Sequence, residues 1–249
     1  MSITVQGLGV ELAVVERGQG PAVVLVHGMA DDAAGWTPIL EALADEARVI
    51  AYDRRGYGAS GAPEPYGRTT VPEQAEDAAA LVRALDAAPA LLCGRDLGAL
   101  VCLDLAKRYR PLVRAAALID PPLLAFAPAA TEALADERVA LEQWLRDEGP
   151  GGAVERWLGA RGAGADRMAR ARTAAGAFFA DYAALATWPV TRAELRALAI
   201  PATILDSPAV PGYQREASAA LARLLPDADH VPADDLPGAL RDLLARTGG

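Results

Sequence analysis

The sequence has few of the residues that most often carry catalysis or bind metals. It contains only two histidines, His27 and His230, and two cysteines, Cys93 and Cys102, in 249 residues. The cysteines lie in apolar segments without metal-type spacing, which predicts reduced thiols in the core. The sequence also lacks a phosphate-binding glycine loop, a flavin fingerprint and a Cys/His cluster, so we expect no cofactor and no metal.

Long apolar runs and basic stripes are missing as well. No stretch approaches the ~20 apolar residues that a membrane span needs, and the first residues lack the basic flank and apolar core of a signal peptide. The net charge of −9 disfavours binding to phosphate backbones. We therefore expect a cytoplasmic protein with no membrane or nucleic-acid partner, and its oligomeric state stays open.

Short β-rich runs alternate with longer helical patterns along the chain, which is typical of βαβ units around a mostly parallel sheet. The length fits one α/β domain over residues 1–249. The predicted strands are Ile3–Gln6, Glu11–Glu16, Ala22–Val26, Arg48–Tyr52, Ala90–Cys93, Ala115–Ile119, Ala202–Leu205 and Asp229–Val231. The predicted flanking helices are Ala34–Ala44, Pro72–Ala87, Gly98–Tyr109, Arg192–Ala197, Tyr213–Leu224 and Pro237–Leu244.

Residues 121–190 interrupt this alternation with consecutive helical patterns. These patterns cover Thr131–Leu145, Ala153–Gly159 and Arg167–Ala186. The segment follows the sixth main strand and is too short for a separate domain. We interpret it as a helical lid over the strand ends.

A strand runs into a helix through Gly-Arg-Asp-Leu-Gly at residues 94–98. Small residues at both ends permit a sharp turn that exposes the central side chain, Asp96, in front of the backbone N–H groups of the helix. The alternative is that Asp96 is an ordinary helix N-cap.

Three motifs in the expected order resemble the α/β-hydrolase family. They are Val-Leu-Val-His-Gly-Met at residues 24–29 followed by Trp36, Tyr-Asp-Arg-Arg-Gly-Tyr-Gly-Ala-Ser at residues 52–60, and the turn around Asp96. The resemblance covers nearly the whole chain. It implies an α/β-hydrolase fold, with a mostly parallel sheet flanked by helices and a helical lid. It also implies that the backbone N–H groups of Met29 and Leu97 form an oxyanion hole, with Asp96 at the nucleophile position.

Epoxide hydrolases and haloalkane dehalogenases are the families with Asp at this position that the chain resembles. There the carboxylate attacks carbon, and a histidine-activated water hydrolyses the resulting ester. Dehalogenases commonly have Trp after the nucleophile, whereas this chain has Leu97. Epoxide hydrolases use lid tyrosines, and the lid offers Tyr182.

The remaining triad positions depart from the family pattern. The register places Val210 where the acid usually lies, so Asp120 is the candidate acid, with a plain turn residue before Pro121 as its alternative. His230 follows Pro226 by only four residues, although relatives have a full strand and loop before the histidine. Either His230 reaches Asp96, or it lies on the last strand and the catalytic loop is missing.

Three hypotheses follow. The first is an enzyme acting on a small apolar molecule, with Asp96 in non-hydrolytic acid–base catalysis such as cyclisation, elimination or rearrangement. The second is a hydrolase with Asp96, Asp120 and His230, acting on epoxides before haloalkanes, and the third is an inert ligand-binding protein. The candidate substrate-contacting residues are His27, Trp36, Tyr182 and Trp188.

Overall fold

The computed structural model describes residues 2–208 and 210–248. Met1, Ala209 and Gly249, which the predicted domain range 1–249 includes, lie outside the described residues. The described chain contains an eight-stranded sheet in the order β1-β2-β4-β3-β5-β6-β7-β8, in which β2 runs antiparallel to both of its neighbours, β1 and β4, and all other neighbouring strands are parallel. The strands are β1 Ser2–Gln6, β2 Glu11–Arg17, β3 Ala22–Val26, β4 Arg48–Tyr52, β5 Ala90–Arg95, β6 Val113–Ile119, β7 Ala202–Asp206 and β8 Ala228–Pro232.

Helices cover both faces of the sheet, which is why its central strands are continuous apolar runs. The helices are α1 Thr37–Leu43, α2 Val71–Ala84, α3 Leu97–Arg108, α4 Ala130–Gly159, α5 Ala165–Thr173, α6 Ala175–Leu185, α7 Arg192–Ala197, α8 Gly212–Leu224 and α9 Leu236–Thr247. Val24 and Leu92 pack with α2 and α3, whereas Leu25 and Leu91 pack with α1 and α9. No helix within residues 2–208 or 210–248 is long and apolar enough to cross a membrane.

The segment between β6 and α7 is helical, but its breaks differ from the predicted ones. The predicted stretch Arg167–Ala186 is divided at Ala174, between α5 and α6. In α4 the backbone kinks at Gly149, whose φ is 72°, immediately before Pro150. A proline lacks the N–H that continues a helix and clashes with the preceding turn, which explains the kink at this point. We refer to residues 121–190 as the helical insertion.

Parallel strands bring functional residues to one edge of the sheet. Asp96 follows β5, Asp120 follows β6 and Ser207 follows β7, so all three lie beyond the carboxyl ends of neighbouring strands. Met29 lies three residues beyond the end of β3, the neighbour of β5. Ligands bind at this edge in open α/β sheets, because the helices that follow the strands leave a crevice there.

Candidate active site

The turn between β5 and α3 holds Asp96 in a strained backbone conformation, with φ 51° and ψ −125°. Such a conformation costs energy for a residue with a Cβ and persists only when the surroundings impose it. Gly94 and Gly98 make the turn possible: an added Cβ would lie 2.3 Å from the carbonyl oxygen of Gly98 in the first case and of Val26 in the second. The side chain of Asp96 makes no helix-capping hydrogen bond. The N-cap alternative is therefore set aside.

The carboxylate of Asp96 faces a cavity and receives one backbone hydrogen bond. The N–H of Met29 donates to Oδ2 at 3.2 Å. Burial raises the pKa of Asp96 to about 6, while the Met29 N–H and the charge of Arg161 act in the opposite direction. Leu97 is buried and begins α3 directly after Asp96. A carboxyl group with this pKa accepts or donates a proton readily near neutral pH.

The cavity has a volume of about 850 Å³ and extends from Asp96 to the helical insertion. Its walls are largely apolar and carry a few polar groups, which is the usual composition of a small-molecule site. Tyr182 and Trp188, both predicted to contact substrate, line it. The apolar lining residues include Leu100, Leu123, Leu124, Leu134, Leu185, Ala186, Val190 and Val210.

Asp120 also lines the cavity, but its carboxylate is engaged by a neighbouring residue. Ser207 donates its backbone N–H to Oδ1 at 2.8 Å and its hydroxyl to Oδ2 at 2.5 Å. Burial raises the pKa of Asp120, and the two Ser207 bonds lower it. The side-chain amide of Gln214 donates to the backbone carbonyl of Asp120 at 2.6 Å. These hydrogen bonds join Asp120 to α8 and to the residue that follows β7, not to a histidine.

The structure does not bring His230 to Asp96, which corrects the prediction of a catalytic His230. His230 lies on β8, opposite Ile204 of β7, and its ring Nε2 is 2.9 Å from Oδ2 of Asp206. Asp96 follows β5, three strands away, which corresponds to about 14 Å at the usual interstrand spacing. Both histidines belong to the described residues, and neither lines the cavity. Only residues 233–235 separate the end of β8 at Pro232 from the start of α9 at Leu236, which leaves little chain for the catalytic loop that the family resemblance implies.

His27 and Trp36, which were also predicted to contact substrate, do not line the cavity. The ring of His27 donates from Nδ1 to the Gly28 carbonyl at 2.8 Å and accepts at Nε2 from the Arg54 N–H at 2.9 Å. Burial and the charge of Arg54 lower its pKa well below the usual range, so the ring is neutral. Trp36 is buried between sheet and α1, under the guanidinium of Arg95 at 5.1 Å. Both residues stabilise the loop after β3.

A buried ion pair connects that loop to the helical insertion. Arg54 donates to both carboxylate oxygens of Asp181 in α6, at 2.7 and 3.2 Å, and to the carbonyls of His27 and Gly28, both at 2.9 Å. Tyr57 donates its hydroxyl to Asp181 at 2.7 Å. Arg54 and Asp181 are almost fully buried, at 1% and 0% side-chain exposure. This pair fixes α6 relative to the backbone that presents the Met29 N–H.

Several charged and polar residues that line the cavity were not predicted from the sequence. The cavity is lined by Glu137, Arg161, Arg167 and Tyr213. Arg95 also lines it, and its buried Nε has no hydrogen-bond partner among the described residues. Arg167 donates to the carbonyls of Met29 and Ala30, at 3.2 and 3.1 Å. The sequence pattern did not predict that these residues line a cavity, because arginine and glutamate side chains on a helix normally face water. No group of three or more possible metal-binding side chains occurs in the described parts of the chain.

The chain belongs to the α/β-hydrolase fold family, whose model matches residues 21–159. Over its full length it is similar to two solved structures. One is a thermophilic esterase from Thermogutta terrifontis, with a TM-score of 0.81, 25% identity and 100% coverage of both chains. The other is an α/β hydrolase from Sphaerobacter thermophilus, with a TM-score of 0.77, 28% identity and coverage of 99% of this chain and 100% of that one.

Curated relatives match over shorter stretches. A 2-(acetamidomethylene)succinate hydrolase from Mesorhizobium japonicum is 36% identical over 111 residues, covering 45% of this chain and 39% of that protein. Bifunctional epoxide hydrolase 2 from Sus scrofa is 34% identical over 117 residues, covering 47% of this chain and 21% of that protein. The chain thus spans about two fifths and about a fifth of their lengths. It is an α/β-hydrolase-fold protein, and the two curated relatives described above are named as hydrolases.

Proposed function

We propose that the protein is an enzyme that uses Asp96 as a general base and acid on a small, mostly apolar molecule, without hydrolysis. The observation that carries this proposal is a cavity-facing carboxylate at the elbow with no histidine in the cavity. A proton transfer needs only the carboxylate and a place for the charge that develops on the substrate.

The properties of Asp96 support this role. Its pKa of about 6, raised by burial, allows it to take up a proton at neutral pH and to return it within one reaction cycle. The Met29 N–H donates to the carboxylate oxygen Oδ2 at 3.2 Å, whereas Oδ1 has no hydrogen-bond partner among the described residues. Residues of the insertion, among them Leu134 and Tyr182, line the cavity and would limit the access of water to the reacting atoms.

A covalent hydrolytic cycle fits these residues less well. Attack by Asp96 on carbon would form an alkyl ester, whose hydrolysis requires a base that activates water. His230 pairs with Asp206 on the edge strand, and Asp120 is held by Ser207. An ester on Asp96 would therefore accumulate.

The direct test uses a probe that reports a carboxylate base whatever the natural substrate is. In 5-nitrobenzisoxazole a base removes the ring C–H proton; the C–H electron pair completes a nitrile, the N–O bond breaks, and a coloured phenolate forms. We expect a rate that rises with pH and levels off above about pH 6, the pKa of Asp96. We also expect that Asp96→Asn loses this activity and that His230→Ala keeps it. Equal rates for Asp96→Asn and wild type would overturn the proposal.

The second candidate is a hydrolase with Asp96 as nucleophile acting on epoxides. It is favoured by the stretch similar to the Sus scrofa epoxide hydrolase and by Tyr182 in the cavity wall, where its hydroxyl could donate to an epoxide oxygen. Styrene oxide in ¹⁸O-water separates the candidates. Formation of a labelled diol that disappears in both the Asp96→Asn and the His230→Ala variants supports hydrolysis. An ester on Asp96, detected by peptide mass, supports attack without turnover.

An inert ligand-binding protein is the remaining alternative. It predicts saturable binding of an apolar probe such as 4-nitroanisole, no elimination of 5-nitrobenzisoxazole and no ester on Asp96. That combination of results would contradict both catalytic candidates.

A further inference from the structure

The cavity that contains Asp96 is lined by three hydrogen-bond donors from separate parts of the chain. Arg161 follows α4, Tyr182 belongs to α6, and Tyr213 lies in the first turn of α8. All three line the same cavity as Asp96. The charge of Arg161 acts on Asp96, and the charge of Asp96 acts on Tyr213. These donors therefore share one ligand space with the carboxylate.

Arg161 is held in place before any ligand binds. Its Nη2 pairs with the carboxylate of Glu137, and its Nη1 donates to the carbonyl of Trp157 at 3.3 Å. The guanidinium carbon stacks 3.7 Å from the centre of the Trp157 ring, and the indole N–H of Trp157 donates to Glu137 at 3.2 Å. About a third of the Arg161 side chain, 33%, is still accessible. A fixed cation with an accessible face stabilises a developing negative charge without reorganising.

The two tyrosines remain protonated donors at neutral pH. Burial, the charge of Glu137 and a hydrogen bond between the Tyr182 hydroxyl and Glu137 raise the pKa of Tyr182 to about 12. Burial and the charge of Glu137 raise the pKa of Tyr213. The Tyr213 hydroxyl has no hydrogen-bond partner among the described residues. A half-buried hydroxyl that lines a cavity without a partner is available to a ligand oxygen.

We infer that Arg161, Tyr182 and Tyr213 form a subsite for a substrate oxygen that becomes an enolate or phenolate while Asp96 holds the proton. This inference rests on the proposed acid–base function and names its substrate class: a molecule with an enolisable carbonyl or a phenolic oxygen on a mostly apolar body. Glu137 orients Arg161 and is a positioning residue.

The step balances within the substrate and Asp96. Asp96 takes the proton from a carbon next to a carbonyl, the C–H electron pair forms a C=C bond, and the carbonyl π pair moves to oxygen. Arg161 neutralises that oxygen, and the tyrosine hydroxyls donate hydrogen bonds to it. Protonated Asp96 then returns the proton to a different atom of the conjugated system, so no oxidant, reductant or water is consumed.

The test is a binding experiment in the Asp96→Asn variant, in which the neutral amide imitates the protonated acid. The probe is 4-nitrophenolate at pH 8, followed by its absorption, with neutral 4-nitroanisole as the shape control. We expect 4-nitrophenolate to bind more tightly than 4-nitroanisole. Arg161→Gln should weaken phenolate binding about 10- to 100-fold and Tyr213→Phe about 3- to 10-fold, as expected for charge-assisted and neutral hydrogen bonds.

Arg138→Gln is the matched control, because it makes the same charge change on a residue that borders the cavity but is 71% exposed and paired with Glu142. It should leave phenolate binding unchanged. Binding of 4-nitroanisole should also stay unchanged in Arg161→Gln and Tyr213→Phe, which shows that the cavity is intact. The inference is overturned if both probes bind equally or if Arg161→Gln weakens both to the same extent. Because Asp96→Asn is inactive by design, either result is separate from the outcome of the elimination assay.

Discussion

The two sides of the candidate site are built in opposite ways. On the side of β3 and β4, Arg54 and Asp181 are buried and every carboxylate oxygen of Asp181 accepts a hydrogen bond. On the side of β7 and β8, His230 of the edge strand β8 contacts Asp206 at the end of β7, and 30% of the His230 side chain is exposed. One Asp206 oxygen, Oδ1, is buried without a partner among the described residues.

The difference shows which half of the site the fold maintains. A buried charge is tolerated only when it is fully paired, so the contacts around Arg54 also fix the loop that carries Met29 and the helix that roofs the cavity. The partly exposed contact between His230 and Asp206 imposes no such constraint and contributes little. We therefore expect the fold to constrain the half of the site around Met29 and Asp96 more strictly than the half around His230.

Removal of the buried acid is expected to have the largest effect on stability. Asp181→Asn keeps the shape but leaves the Arg54 charge buried and unpaired, so we expect about 3–5 kcal/mol of destabilisation. Urea unfolding measures the change, and Asp136→Asn, at an exposed position of α4, is the control with no expected effect. A loss of less than 1 kcal/mol in the unfolding free energy of Asp181→Asn would mean that the side around Arg54 is no more rigid than the side around β8.

Neutralisation of Asp96 should stabilise the protein. Burial raises its pKa from 3.8 to about 6, so the ionised carboxylate disfavours the folded state above pH 6. We expect Asp96→Asn to be about 2–3 kcal/mol more stable at pH 8. The gain should shrink as the pH falls from 6 and vanish below about pH 4, where the wild-type carboxyl is protonated in both states. Unfolding curves at pH 8, 6 and 4 check the trend, and a gain that is independent of pH would contradict it.

The Asp120–Ser207 contact should have an intermediate effect. Ser207→Ala removes the hydroxyl that donates to Asp120 and leaves a buried carboxylate oxygen without that partner. We expect a loss of about 1–2 kcal/mol. Ser218→Ala is the matched control, because the Ser218 hydroxyl is buried without a partner in the described chain and its removal should cost nothing. Equal losses in both variants would show that Ser207 does not hold Asp120.

His230 should matter least. Its pairing with Asp206 is partly exposed, so His230→Ala is expected to cost less than about 1 kcal/mol. The elimination rate with 5-nitrobenzisoxazole should stay within twofold of wild type at every pH. A tenfold loss of rate with unchanged stability would place His230 in the catalytic cycle and remove the contrast between the two sides.

The sequence by itself determined the strands of the sheet and the turn that presents Asp96. The predicted strands Ala22–Val26 and Arg48–Tyr52 coincide with β3 and β4, because continuous apolar runs bounded by polar residues have few other stable arrangements. The turn at residues 94–98 could also be predicted from the sequence, because only glycine permits the neighbouring backbone to lie so close to positions 94 and 98. Both features depend on neighbours within a few positions of the chain.

Only the tertiary structure decided which polar residues meet. Arg54 pairs with Asp181 across 127 positions, and His230 pairs with Asp206 and not with Asp96. Arg161 and Tyr213 come together at the cavity because α8 follows β7 and packs beside the helical insertion. No periodicity in the sequence predicts such contacts. A buried charge is tolerated only when partners offset its lost hydration, and folding brings these partners from distant parts of the chain.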